Sequence, residues 1–214
     1  MATRASAGDG RFPLHIFLAS SNPGKLREYR QLAQGSPLEL DLLPNFREIP
    51  QFEESAPTFA ENAAGKAIHY SRFTDELVLA EDSGLVVPAL GGAPGVYSAR
   101  YAGPDATDAD CVRKLLLAME GKAGAERRAR FVCITVLARQ GRVLAVTSDF
   151  VEGLITERPR GEGGFGYDPV FLLPDLGRTT AEASEEEKNR LSHRGKAFRK
   201  MKDLLTDKNS PLLS

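Results

Sequence analysis

The chain has 214 residues, 42% of them hydrophobic and 27% charged, with a formal net charge of −1. That length supports one domain or two closely joined lobes around a substantial core. The near-neutral charge excludes an electrostatic footprint for non-specific nucleic-acid binding, and no apolar run is long enough to span a membrane.

Residues 1–12 are small and polar and lack the apolar stretch of a signal peptide, so they are expected to form a disordered leader to a domain over 13–207, with 208–214 as a tail. The apolar run Ile16, Phe17, Leu18, Ala19 then stops at Ser20-Ser21-Asn22, and an amphipathic pattern with Leu26, Tyr29 and Leu32 follows. This predicts a strand, a tight loop and a helix, with Asn22 as N-cap and Pro23 at the first helical position. Such a junction aims free backbone N–H groups and the positive end of the helix dipole at one spot. Ser20, Ser21, Gly24 and Lys25 lie beside it, which suits a phosphate. It is no Walker A loop, because Ala19 and Leu26 stand where that motif needs Gly and Ser or Thr. The plainer alternative is a capped helix start with a solvated lysine.

Leu38, Leu40 and Leu42 alternate with acidic residues as in a half-buried strand. Thr58 and Glu61 form a capping box for a helix to about Arg72. Lys66 shares a face of that helix with Asn62 and His69, as a surface charge or as a phosphate contact. Glu53-Glu54 precedes the helix, as a solvated pair or as part of a metal site. Residues 77–80 read as a short buried strand, followed by Glu81-Asp82-Ser83-Gly84. Carboxylates at a strand end suit Mg²⁺ held together with substrate phosphates, and an acidic turn is the alternative.

The Gly- and Pro-rich stretch 91–103 reads as loop, and Asp108 as the cap of a helix carrying Val112, Leu115, Leu116 and Met119. Residues 130–138 and 142–155 read as an antiparallel hairpin. Cys111 and Cys133 lie far apart in apolar-rich segments, which predicts buried reduced thiols and a cytoplasmic protein.

Residues 161–168, GEGGFGYD, contain G-x-G-x-x-G, but the strand expected at 170–173 follows instead of the helix a Rossmann turn requires. What remains is a loop with two aromatics. Phe165 and Tyr167 either stack on a base or anchor the loop. Ser184 opens a second capping box ahead of Lys188. Ser192-His193-Arg194-Gly195 opens the last helix, where His and Arg oppose the dipole unless an anion or acceptor faces them. Arg194 matches a purine carbonyl O6, with two exposed polar residues as the alternative. Helices interleaved with parallel and antiparallel strands predict an α/β fold on a mixed central sheet.

In order and spacing, these segments resemble the inosine triphosphate pyrophosphatase family of non-standard purine nucleotide hydrolases. The resemblance rests on ASSNPGK with Glu28, Glu54 ahead of TFAENAAGKA, EDSGL, GGAPGVYSARYAG, GGFGYDPVF and EEKNRLSHRGKA. It implies an elongated two-lobed fold with the active site in the cleft, and a homodimer. It implies hydrolysis of ITP, dITP and XTP to the monophosphate and pyrophosphate with Mg²⁺, for which Mn²⁺ can substitute. Carried onto matching positions, Ser20, Ser21, Asn22, Pro23, Gly24 and Lys25 bind substrate. Glu54 and Asp82 serve the metal, and Asp82 is the base for water. Ser83, Lys66 and Lys188 contact nucleotide, while Phe165, Gly166, Tyr167, Asp168, His193 and Arg194 form the base pocket. Glu81 stands where many members carry Asp, with little consequence expected. A hydrolase of modified pyrimidine triphosphates and a regulatory nucleotide-binding module are the rival readings.

Overall fold

A computed structural model describes residues 13–207, 209, 210 and 212. The leader expected over 1–12 lies outside the described residues, and so does most of the tail. Strand β1 (Leu14–Leu18) leads through the turn into helix α1 (Pro23–Ala33), and strand β2 (Leu38–Leu42) and helix α2 (Phe59–Tyr70) follow. Asn22 and Thr58 cap the two helices as expected. Strand β3 (Leu77–Val86), helix α3 (Asp108–Ala118) and the hairpin β4 (Arg128–Arg139) and β5 (Arg142–Ile155) come next. Short strands β6 (Phe171–Leu173) and β7 (Arg178–Thr179) precede helices α4 (Glu185–Leu191) and α5 (His193–Thr206).

The sheet runs β2-β1-β3-β4-β5-β6-β7, parallel among its first three strands and antiparallel thereafter. The hairpin turns on Gln140 and Gly141, both left-handed at φ 50° and 76°, which matches the strands' twist. No helix among the described residues is long and apolar enough to cross a membrane.

Three expectations need correction. β3 does not stop at Ala80 but runs to Val86, because β4 pairs with it from Val78↔Ala138 to Val86↔Arg130. Thr107, not Asp108, caps α3, in a capping box with Asp110. Val170 ends a single 3-10 turn, so the strand after it starts at Phe171. The stretch expected as loop also carries a 3-10 turn, Gly95–Arg100, lying tight against β3. A Cβ on Gly84 would come within 2.6 Å of the Gly95 carbonyl oxygen, so glycine is needed there.

Two apolar cores share one face of the sheet. At one end α1 and α5 cover Ile16, Leu79 and Leu137 with Tyr29, Phe198 and Met201. At the other α3 covers Leu85, Phe131 and Phe171 with Cys111 and Leu115. The opposite face carries a third core under α2, with Val78, Ala80, Val136 and Ala67. The long strands β3, β4 and β5 thus span two lobes. At the junction the sheet presents polar residues, and there the site lies.

Candidate active site

β1 ends beside Leu79, whereas β3 continues for seven residues. The freed edge of β3 opens a notch at Glu81. Above it stands the turn into α1. Asn22 takes the N–H groups of Gly24 and Lys25 on its side-chain oxygen, at 2.8 and 3.3 Å, and gives its own N–H to Ser20 Oγ. Leu26 N–H meets the Asn22 carbonyl. The N–H groups of Asn22, Gly24, Lys25 and Leu26 are therefore satisfied internally, and Lys25 brings a cation to this turn. Ser21 and Pro23 are exposed outside the cavity described below.

Glu81 and Asp82 are adjacent in sequence but point to opposite faces, since a strand alternates. Asp82 faces α2. One of its oxygens accepts the Ser83 N–H at 3.0 Å, and the buried Oδ2 has no partner among the described residues. Lys66 comes up from α2, pairs with Glu54 and donates to the Glu81 carbonyl at 3.1 Å. Burial pushes the Asp82 carboxyl up to about 6; Lys66 opposes the rise and Glu54 adds to it. A carboxylate poised there is suited to act as a base near neutral pH.

Glu81 faces the other way, into a chain of alternating charges. Lys25 Nζ lies 2.9 Å from Glu81, Arg194 bridges Glu81 and Glu28, and Lys188 bridges Glu28 at 2.8 Å and Asp168 at 2.7 Å. Three cations thus face three carboxylates. Burial alone would raise Glu81, but Arg194 and Lys25 hold it well below the usual carboxylate range. Burial opposes the charge on Lys188 too, and Asp168 and Glu28 outweigh it. The Tyr29 hydroxyl donates to Glu81 at 2.5 Å. Glu81, expected to matter little, is the hub of this network. The acceptor expected opposite Arg194 proves to be the protein's own carboxylates, which engage three of its five N–H groups.

Beyond the network a cavity of about 240 Å³ opens between the lobes. Lys25, Ser83, Phe131, His193, Lys188, Arg194 and residues 165–168 line it. The two aromatics of the glycine loop have separated roles. Tyr167 is buried and anchors the loop through its hydroxyl to the Ser98 carbonyl at 2.8 Å. Phe165 is half-buried, with Lys188 Nζ 4.7 Å and the Arg194 guanidinium 5.4 Å from its ring centre. Its ring also lies against Gly24. His193 stacks on Phe131 at 4.8 Å, and burial and the neighbouring Arg194 charge push it well below 6.5, so it is neutral. Cys111 and Cys133 are free and buried as expected.

The structure thus gathers most of the assigned residues around a notch with two ends, while Ser20, Ser21, Pro23 and Gly24 do not line the cavity. Lys25, Lys66, Asp82 and Glu54 form a charged end, and the cavity an aromatic one. Sequence reading left out Tyr29, Asn62, Ser98 and Asp108. Asn62 had a cue, one turn before Lys66 on α2, and its side chain pins Ala56 beside Glu54.

The sequence model of the Ham1 family matches residues 16–204. A dITP/XTP pyrophosphatase of Geobacillus kaustophilus is 50% identical over 186 residues, covering 87% of this chain and 91% of that protein. The structure of a HAM1 protein from Coxiella burnetii superposes with a TM-score of 0.82 at 41% identity, covering 91% of this chain and 99% of that one. The Staphylococcus aureus Ham1 protein gives 0.78 at 35% identity, covering 89% and 97%.

Proposed function

The chain belongs to the Ham1 family, and from that premise we propose that it hydrolyses non-standard purine nucleoside triphosphates, ITP, dITP and XTP, to the monophosphate and pyrophosphate. The observation that carries the reading is the two-ended notch, where two lysines and two carboxylates adjoin a cavity sized for a base. Clearing such nucleotides from the cytoplasmic pool would keep them out of DNA and RNA.

The polyphosphate lies at the charged end, where Lys25 and Lys66 neutralise it. Asp82 takes the proton of the water that attacks the α-phosphorus, and pyrophosphate leaves. The donor set suits Mg²⁺ or Mn²⁺. The buried, unpartnered Asp82 Oδ2 and the nearby Glu54 are hard oxygen donors, and no group of three or more His, Cys, Asp or Glu among the described residues forms a closed cage. Two carboxylates plus substrate phosphates are what a small hard cation needs. When bound, the ion polarises the phosphoryl group and offsets its charge.

The purine enters the cavity beside Phe165. Arg194, held by Glu81 and Glu28, and Lys188 give that end donors that suit the O6 of hypoxanthine or xanthine. Adenine brings its own N6 donor there and leaves a site group unpaired. A second copy would cover the outer face of the hairpin, where Val146 and Phe150 are about half exposed.

Hydrolysis of ITP with Mg²⁺ in ¹⁸O-water tests the reading. The label is expected in IMP, beside unlabelled pyrophosphate. IDP with orthophosphate as the products, or full turnover in excess EDTA, would overturn it. Light scattering is expected to give a dimer that Phe150→Asp dissociates.

A further inference from the structure

Asp108 is the first residue of α3, in the second lobe, and it lines the cavity. Its Oδ2 accepts the Gly166 N–H at 2.7 Å. Gly166 is left-handed, at φ 62°, and that conformation sets the direction of the donated N–H. The helix does not need this carboxylate as a cap, because Thr107 and Asp110 already form a complete capping box. On the far side of Phe165 the loop is tied back within itself, its N–H donating to Asp168 Oδ2 at 2.9 Å. Phe165 therefore sits between two fixed points. One is the Asp168 carboxylate, which Lys188 and Thr180 hold. The other is Asp108, the point at which α3 grips this turn.

We propose that Asp108 is a positioning residue: through Gly166 it holds the glycine loop so that the Phe165 ring closes the base end of the cavity. The inference rests on the proposed hydrolysis for its kinetic consequence and on geometry alone for the latch. Latch and loop belong to one lobe, since α3 and Tyr167 pack in the same core, and the Phe165 ring they hold reaches toward Gly24 at the start of α1 in the other. Without it, three glycines at 163, 164 and 166 leave the turn free to sample open arrangements. Asp82 lies on the other face of β3 with Lys66 beside it, and neither lines the cavity that Phe165 closes.

The test uses Asp108→Ala and Asp108→Asn in the full chain, with melting curves to verify folding. Asn keeps an acceptor oxygen and loses only the charge. In Asp108→Ala, amide hydrogen exchange over residues 161–168 is expected to accelerate at least tenfold, with α5 unchanged. KM for ITP should rise about tenfold, the factor carried by one hydrogen bond to a charged group, while kcat changes less than twofold. Asp108→Asn should recover most of both. Inhibition by inorganic tripolyphosphate, which has no base, should be equal in all three proteins. Unchanged exchange in Asp108→Ala overturns the latch whatever the substrate is. Faster exchange with an unchanged KM overturns its role in closing the cavity, and an Asn variant that behaves like Ala overturns the hydrogen bond as the cause. If the wild-type protein hydrolyses no purine triphosphate, the functional reading fails while the exchange result still decides the latch.

Discussion

Arg194 grips Glu81 with two parallel hydrogen bonds of 2.8 Å, from Nε and from Nη2, across 113 residues of sequence. Both side chains are almost fully buried, and Glu28 holds the remaining arm of the guanidinium. This fork fixes the start of α5 against the centre of β3, so the cavity wall is rigid before any ligand arrives.

Glu81→Gln removes one charge from that pair and leaves Arg194 buried with Glu28 alone. Breaking a buried pair from one side costs about 3–5 kcal/mol, and the surviving partner puts this case at the lower end. Urea unfolding is expected to show the loss as a lower midpoint. Glu81→Asp, one methylene shorter, should lose part of the same stability. A midpoint equal to that of the wild type in both variants would mean that the network contributes nothing net.

Asp82→Asn should lower kcat by roughly 10²–10⁴, the effect of removing a base. It should also raise stability in metal-free protein. The folded-state pKa is about 6, against the ordinary aspartate value of 3.8. The folded state therefore holds the proton more tightly, and the ionised buried carboxylate destabilises it as pH rises through 6. The shift corresponds to at most about 3 kcal/mol. Thermal melting in EDTA should show a higher Tm for the variant at pH 8 and a nearly equal one at pH 4. A lower Tm at pH 8 would contradict the argument.

His193 runs the other way. Its folded-state pKa lies well below 6.5, because burial and Arg194 disfavour the cation. The unfolded chain gains the proton first, so this residue's contribution is complete above about 6.5 and falls as pH drops below it. His193→Gln should make Tm fall less, or rise more, between pH 6.5 and 5 than in the wild type, with Asp82 acting in the opposite sense in both proteins. Glu81 and Glu28, held low, do not enter that window. Parallel slopes in wild type and variant would remove His193 from the acid response.

Lys25→Ala leaves Glu81 paired with Arg194, so stability should change little. The charge at the polyphosphate end is lost, and kcat/KM for ITP should fall roughly ten- to a hundredfold. Steady-state kinetics with a matched melting curve separate the two effects. An unchanged kcat/KM would make Lys25 a solvated helix residue after all.

What the sequence by itself determined was set by short-range physics. The caps at Asn22, Thr58 and Ser184, the hairpin turn at Gln140-Gly141 and the absence of a Rossmann helix after Gly166 all follow from hydrogen bonds and backbone preferences a few residues apart. The order of motifs likewise carried the family. Tertiary structure alone decided how the charges pair. β4 lengthened β3, and alternation along it then sent Glu81 to the α5 face and Asp82 to the α2 face, although they are neighbours in sequence. Arg194 found Glu28 and Glu81 166 and 113 residues away. The glycine loop split its aromatics, burying Tyr167 and leaving Phe165 over the cavity, because Ser98 and Asp108 come from other segments to hold it. Periodicity and caps act along the chain, whereas a buried charge takes whichever opposite partner packing brings within reach.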